Sequence, residues 1–249
     1  MIDTHCHFNF SDFNENRDEI LKSAFENKVY KIINPSSSIK DSNESFEMAQ
    51  KYENVFFSPG IHPESILDLE NVKKIEQYIN DKKCVGIGEI GLDYHYPDFD
   101  KNKQKDLFIA QLEIAKKYNK PVIIHNRDSK EDLYDILKTY DLKGVLHCYS
   151  EDKNFAKKVL DLGFYISFTC NITFKNVKDY IVEAVKYIPN DRILCETDAP
   201  FLAPQEFRGQ LNKPEYVKYV YNKICEIKGL EFGDFEKQVD KNVKNLFGI

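Results

Sequence analysis

Histidine is scarce in this chain of 249 residues, and its six occurrences do not fall at random. His5 and His7 flank Cys6 in DTHCHF, His62 sits in GIHPE, His95 follows GEIGLDY, and His125 and His147 open HNRD and HCYS. On an extended strand residues i and i+2 point to one side, so His5 and His7 can aim both imidazoles at one place while Cys6 faces away. Two converging imidazoles pack poorly against hydrocarbon but begin a metal site well. Carboxylates that could complete it stand at Glu89 in GEIGLDY and at Asp198 in ETDAP. An unpaired carboxylate in an apolar run is costly to bury, which argues for a cation near each. The expectation is a centre of two divalent ions. His5, His7 and Asp198 would hold the first, His125 and His147 the second, and Glu89 would bridge them.

Side chains so far apart in sequence meet only on a suitable scaffold. Short runs rich in Val, Ile and Phe near 2–8, 29–35, 54–63, 84–94, 121–128, 144–150, 164–169 and 192–200 read as eight strands. Charged segments with apolar residues at helical spacing separate them. In 103–119 Leu107, Phe108, Leu112 and Ala115 share a face; in 71–80 Val72, Ile75 and Ile79 do. Strands alternating with helices over this length predict an α/β fold, a single (β/α)8 TIM barrel forming one domain over residues 1–249. Residues 204–217 read as a long loop after the eighth strand, and 234–247 as an extra closing helix. No GxGxxG follows the first strand, which disfavours a doubly wound open sheet. All six histidines then lie at or just past the carboxyl ends of strands, the face where barrel enzymes place their active sites.

Composition narrows the function classes. With 41 acidic against 35 basic residues the net charge is −6, which argues against a protein that coats nucleic acid but not against one that grips a few phosphates. Six cysteines without a CxxC pair read as small buried hydrophobes in a reducing compartment. No run approaches the roughly 20 apolar residues of a membrane span. The segment MIDTHCHFNF lacks a basic stretch followed by an apolar one, so the expected location is cytoplasmic, with no membrane partner.

DTHCHF (3–8), GIHPE (60–64), GEIGLDY (88–94), HNRD (125–128), HCYS (147–150), SFTCNITFKN (167–176) and the series ETDAPFLAP…RG…N.P.YV (196–217) together resemble the TatD family. Its members are metal-dependent (β/α)8 deoxyribonucleases within the amidohydrolase-like group. The match runs in order over nearly the whole chain, and its motifs fall at strand ends. Cys170 stands where relatives often have Gly, and Glu151 where Gly is common; both leave the ligands untouched. Many other amidohydrolase-like barrels carry a carboxylated lysine where this chain has Glu89, which disfavours a urease- or dihydroorotase-type site.

The resemblance implies hydrolysis of phosphodiester bonds, with nucleotides removed from the 3′ end of single-stranded DNA or an oligonucleotide. It implies a monomer with no obligate protein partner. Asp198 and Glu89 would be the catalytic carboxylates, Asp198 orienting the attacking water and taking its proton. The donor set accepts Zn2+, Mn2+ or Fe2+, whereas nuclease chemistry often runs on Mg2+. Only four residues are Arg, the type whose planar fork matches phosphate. Arg127, two residues past His125, and Arg208, on the loop after strand eight, are therefore candidate substrate ligands. His62 is expected to donate to phosphate, and Tyr94 with His95 to meet a base. Glu196, two residues before Asp198, is expected to orient a histidine ligand. A competing enzyme class is a metal-dependent deacylase or esterase, for example on aminoacyl-tRNA, but Arg127 and His62 suit phosphate better. A barrel kept only for binding would be missing ligands, and none is missing.

Overall fold

The computed structural model describes residues 1–98 and 100–249. Eight strands follow in chain order: β1 (Ile2–Asp3), β2 (Lys31–Pro35), β3 (Val55–Ser58), β4 (Ile87–Asp93), β5 (Val122–Arg127), β6 (Gly144–Leu146), β7 (Tyr165–Phe168) and β8 (Ile193–Cys195). Parallel ladders join β1 to β3 in one sheet and β4 to β8 in another. Two parallel bridges connect the sheets, Phe57 with Cys84 and Cys6 with Ala199. Backbone hydrogen bonds reinforce both junctions: Phe57 N–H donates to Lys83 O, Val85 N–H to Phe57 O, Thr4 N–H to Cys195 O and His7 N–H to Ala199 O. The sheet thus closes on itself as a (β/α)8 barrel, the architecture that the alternating pattern predicts.

Helices α1 (Arg17–Glu26), α2 (Ile39–Lys51), α3 (Lys101–Tyr118), α4 (Lys130–Leu137), α5 (Lys153–Asp161), α6 (Asp179–Tyr187) and α7 (Val217–Lys228) connect the strands, and α8 (Phe232–Phe247) is the extra closing helix. Ser38, Asp100 and Asp152 cap α2, α3 and α5 by accepting from exposed N–H groups of the first turn. The connection after β3 departs from expectation. Ile66–Tyr78 forms 3-10 turns rather than an α-helix. Ile66, Leu69, Val72, Ile75 and Tyr78 recur every three residues and are the ones turned inward, while Leu67, Glu70 and Lys73 are exposed. A stripe of period three matches three residues per turn, not 3.6. Among the described residues no helix is long and apolar enough to cross a membrane.

Regular pairing stops earlier than the apolar runs suggest, at Asp3, Leu146 and Cys195. Beyond the ladders Asp128, Cys148 and Asp198 adopt left-handed backbone, with φ of 54°, 48° and 57°. Non-glycine residues seldom take this conformation, and it concentrates at functional sites. In β4 the ladder to β5 shifts register between Ile87 and Ile90, a bulge that re-aims the side chains within it. Gly91, with φ of 150°, allows the strands to close up again, because a Cβ there would lie 2.0 Å from His125 O. Glu89 sits inside this bulge.

Candidate metal centre

The chain past β1 hydrogen-bonds alternately to its two neighbours. Cys6 N–H donates to Ile33 O on one side, and His7 N–H to Ala199 O on the other. That extended path puts Cys6 wholly in the apolar layer and turns both imidazoles into the barrel. His5 Nε2 and His7 Nε2 stand 3.2 Å apart. Glu89 Oε2 lies 3.3 Å from the first and 3.4 Å from the second. Asp198 Oδ1 lies 3.7 and 3.6 Å from the same two atoms. Donors about 2.0–2.2 Å from a four-coordinate ion are about 3.3–3.6 Å from one another. The spacing therefore fits one cation in the middle of these four atoms.

The other oxygen of Glu89 faces a second group. Oε1 lies 2.7 Å from His125 Nδ1 and 2.7 Å from His147 Nε2, and those nitrogens are 3.3 Å apart. The His5 and His147 rings stack with centroids 4.0 Å apart, so the two groups are adjacent. One carboxylate thus turns one oxygen to each. The donor set, imidazoles with shared and separate carboxylates, is of the kind that binds divalent metal, and the 2.7 Å contacts of Glu89 Oε1 are hydrogen-bond distances.

Carboxylates stand behind two of the imidazoles, those of His147 and His125. Glu196 Oε1 accepts from Cys148 N–H at 2.7 Å and lies 3.3 Å from His147 Nδ1, while its Oε2 accepts from Ser167 Oγ at 2.6 Å. Asp93 Oδ2 lies 2.9 Å from His125 Nε2, which fixes the ring with Nδ1 toward Glu89. Asp3 accepts from Thr197 Oγ1 at 2.6 Å and from the N–H groups of Thr197 at 2.9 Å and His5 at 3.3 Å, tying the end of β1 to the turn that carries Asp198.

Charge is concentrated here under cover. Burial pushes the Glu89 carboxyl up, but the imidazoles of His147, His5 and His125 outweigh it and hold the group well below the usual carboxylate range. Burial opposes the charge on His147, yet Glu89 and Glu196 raise it well above the usual histidine value. His7 is raised against burial by Glu89, and His125 against burial by Asp93 and then Glu89. His5 is lowered by burial and by His147. Burial raises the Asp198 carboxyl. Positive charge is favoured on His7, His125 and His147, around the ionised Glu89, and a cation can replace those protons.

The rim is more varied. His62 Nε2 is 3.7 Å from Glu89 Oε1, its ring meets His125 edge-on at 4.4 Å, and burial followed by His125 lowers it to about 3. Its Nδ1 accepts from Glu64 N–H at 3.2 Å, which leaves Nε2 as the donor. Arg127 is exposed, 5.5 Å from the Tyr96 ring, and its charge helps to lower Asp93. Arg208 lies over the Phe174 ring at 4.0 Å.

The TatD related DNase family model matches residues 2–248. This chain belongs to the TatD family. It is 38% identical over 254 residues to the uncharacterized metal-dependent hydrolase YabD of Bacillus subtilis, with 100% of this chain and 99% of that protein covered. It is 35% identical over 255 residues to the uncharacterized metal-dependent hydrolase YcfH of Escherichia coli, with 100% and 96% covered. The crystal structure of the TatD homologue YjjV of Escherichia coli superimposes with a TM-score of 0.94 at 30% identity, over 100% of this chain and 98% of that one.

In this TatD-family barrel the six expected ligands meet, with Glu196 behind them. Tyr94 does not join them. Asp93, the preceding residue, faces His125, so Tyr94 points to the helices: its hydroxyl donates to Asp132 of α4 at 2.8 Å and Lys101 Nζ of α3 lies 4.4 Å over its ring. His95 is beside Asp128 at 3.2 Å, outside the cluster. Asp93 and Asp3 were not among the candidates read from the sequence. A signal for Asp93 exists: it follows Glu89 and Gly91 at period two on one face of β4.

Proposed function

We propose that this chain is a metal-dependent hydrolase of phosphodiester bonds, a deoxyribonuclease that removes nucleotides from the 3′ end of single-stranded DNA. The observation that carries the reading is the shared carboxylate, with Glu89 Oε2 among His5, His7 and Asp198 and Glu89 Oε1 between His125 and His147. Two divalent ions held there, whether Mg2+, Mn2+ or Zn2+, supply Lewis acidity on both sides of an in-line displacement and lower the pKa of water.

The residues do the rest. Asp198, whose carboxyl burial has raised, is placed at the edge of the first group to orient the attacking water and accept its proton at Oδ. Glu196 and Asp93 keep the rings of His147 and His125 turned toward Glu89. His62, neutral and carrying its hydrogen on Nε2, donates to a phosphoryl oxygen without adding charge. Arg127 meets the phosphate with its fork, and the exposed Arg208 is the donor for a neighbouring phosphate. Donors of this kind favour phosphate over an acyl group, which ranks the deacylase reading second.

The test is degradation of end-labelled single-stranded DNA by the wild type and by Glu89→Ala, with and without chelator. We expect shortening from the 3′ end, abolished by chelator and at least about 100-fold slower in the variant. An aminoacyl ester offered to the same preparation serves as the rival substrate. Faster cleavage of the ester, or an undiminished rate in the variant, contradicts the proposal.

A further inference from the structure

The rim of the centre has two unlike halves. Toward β3–β5 it presents the hydrogen-bond donors His62 and Arg127. Toward β1 and β8 it presents carbon. Phe10 stacks on His7, with ring centroids 4.7 Å apart and planes 21° from parallel. Phe201 lies 6.1 Å from both rings, at 69° to His7 and 81° to Phe10. The two phenylalanines therefore form a corner, and one wall of that corner rests on an imidazole of the first metal group.

Phe201 is 50% exposed although it stands only three residues after Asp198. It is not loose. Its N–H donates to Asp198 O at 2.9 Å, and its carbonyl accepts from the fully buried Asn212 side chain at 2.6 Å. A large apolar ring held in the open by its own backbone contributes little to the core, and exposed apolar surface at a concave site marks a binding surface. The other side of Phe10 borders a separate cavity of about 560 Å3 with a charged lining that includes Asp41, Glu44 and Glu47, and neither Phe201 nor His7 lines it.

We propose that Phe10 and Phe201 form a stacking corner for the base of the nucleotide whose phosphate lies at the metal centre. The inference rests on the phosphodiesterase reading and adds an orientation to it. The phosphate faces His62 and Arg127, and the base lies across the first metal group against the two rings. Stacking recognises the π-face that all bases share, so the corner grips a nucleotide without selecting its sequence. It makes no use of the phosphate donors.

The experiment compares binding of thymidine 5′-monophosphate and of 2-deoxyribose 5-phosphate to the metal-loaded protein by calorimetry. The two ligands share the phosphate and sugar and differ only in the base. The wild type should bind the nucleotide about 5- to 100-fold more tightly, the range that stacking one base supplies. That ratio should fall toward one in Phe201→Ala and in Phe10→Ala, and Phe201→Trp should restore it. Recovery in the tryptophan variant separates lost stacking from a damaged fold. A ratio near one in the wild type, or an undiminished ratio in both alanine variants, overturns the proposal. Failure of the phosphodiesterase reading looks different: no labelled DNA is cleaved, whatever the binding ratio. Cleavage of DNA together with base-indifferent binding removes the corner alone.

Discussion

Two imidazoles of this site have a further carboxylate behind them, Glu196 beside His147 and Asp93 beside His125. Glu196 has three partners: Cys148 N–H, Ser167 Oγ and the edge of His147. Replacing it with glutamine keeps its shape but removes the charge facing His147. We expect Glu196→Gln to lower metal affinity about 10- to 100-fold, measured by competition with a chromophoric chelator. An affinity equal to wild type contradicts the role. Protons report on the same cluster. His147 is held above its ordinary value, so its contribution to stability is present below about pH 6.5 and is lost as pH rises through the raised value. Glu89 is held below its own, so its contribution is present above the carboxylate range and is lost in acid. Chelator-treated protein should therefore lose thermal stability as pH rises from about 6.5. Protein saturated with Mn2+ should not, because the cation takes the place of the protons. Equal pH profiles with and without the ion contradict this. That His5, His7, Glu89, His125, His147 and Asp198 converge was legible, because histidine is rare here and falls at or just past the strand ends. Asp3 was not: nothing local distinguishes an aspartate that anchors a turn 194 residues away from one that caps a helix.

At the scale of elements, β4 has the most demanding backbone. Its bulge turns Glu89 inward, and Gly91 then brings the strand back against β5. Gly91→Ala would place a Cβ against the His125 carbonyl and impose a conformation that L-residues resist. We expect it to destabilise the fold by about 1–3 kcal/mol in urea denaturation and to weaken metal binding through displacement of His125. An unaltered urea midpoint contradicts this. Bulges leave no periodic trace, so GEIGLDY reads as a plain strand. The 3-10 segment Ile66–Tyr78 illustrates a related limit. Over 71–80 its apolar residues suit a period of 3.6, and only the longer series from Ile66 shows that the period is three. Tyr94, expected with His95 to meet a base, instead bonds Asp132, because Asp93 holds the inward position on β4. The left-handed turns at Cys148 and Asp198 were likewise invisible, since neither residue is glycine.

For the whole molecule, closure is what makes the site. The segments that follow β1 and β8 meet at the Cys6–Ala199 bridge and at the hydrogen bond from Thr4 N–H to Cys195 O, and only this long-range pairing brings Asp198 beside His5 and His7. Eight apolar runs alternating with amphipathic ones make that closure legible in the sequence. In the proposed function Glu89 is shared between two ions, and crystals soaked in Mn2+ and measured at its absorption edge test this directly. We predict two anomalous peaks roughly 3.5–4 Å apart, one on each side of Glu89. A single peak, or two that leave Glu89 outside their coordination, would contradict it.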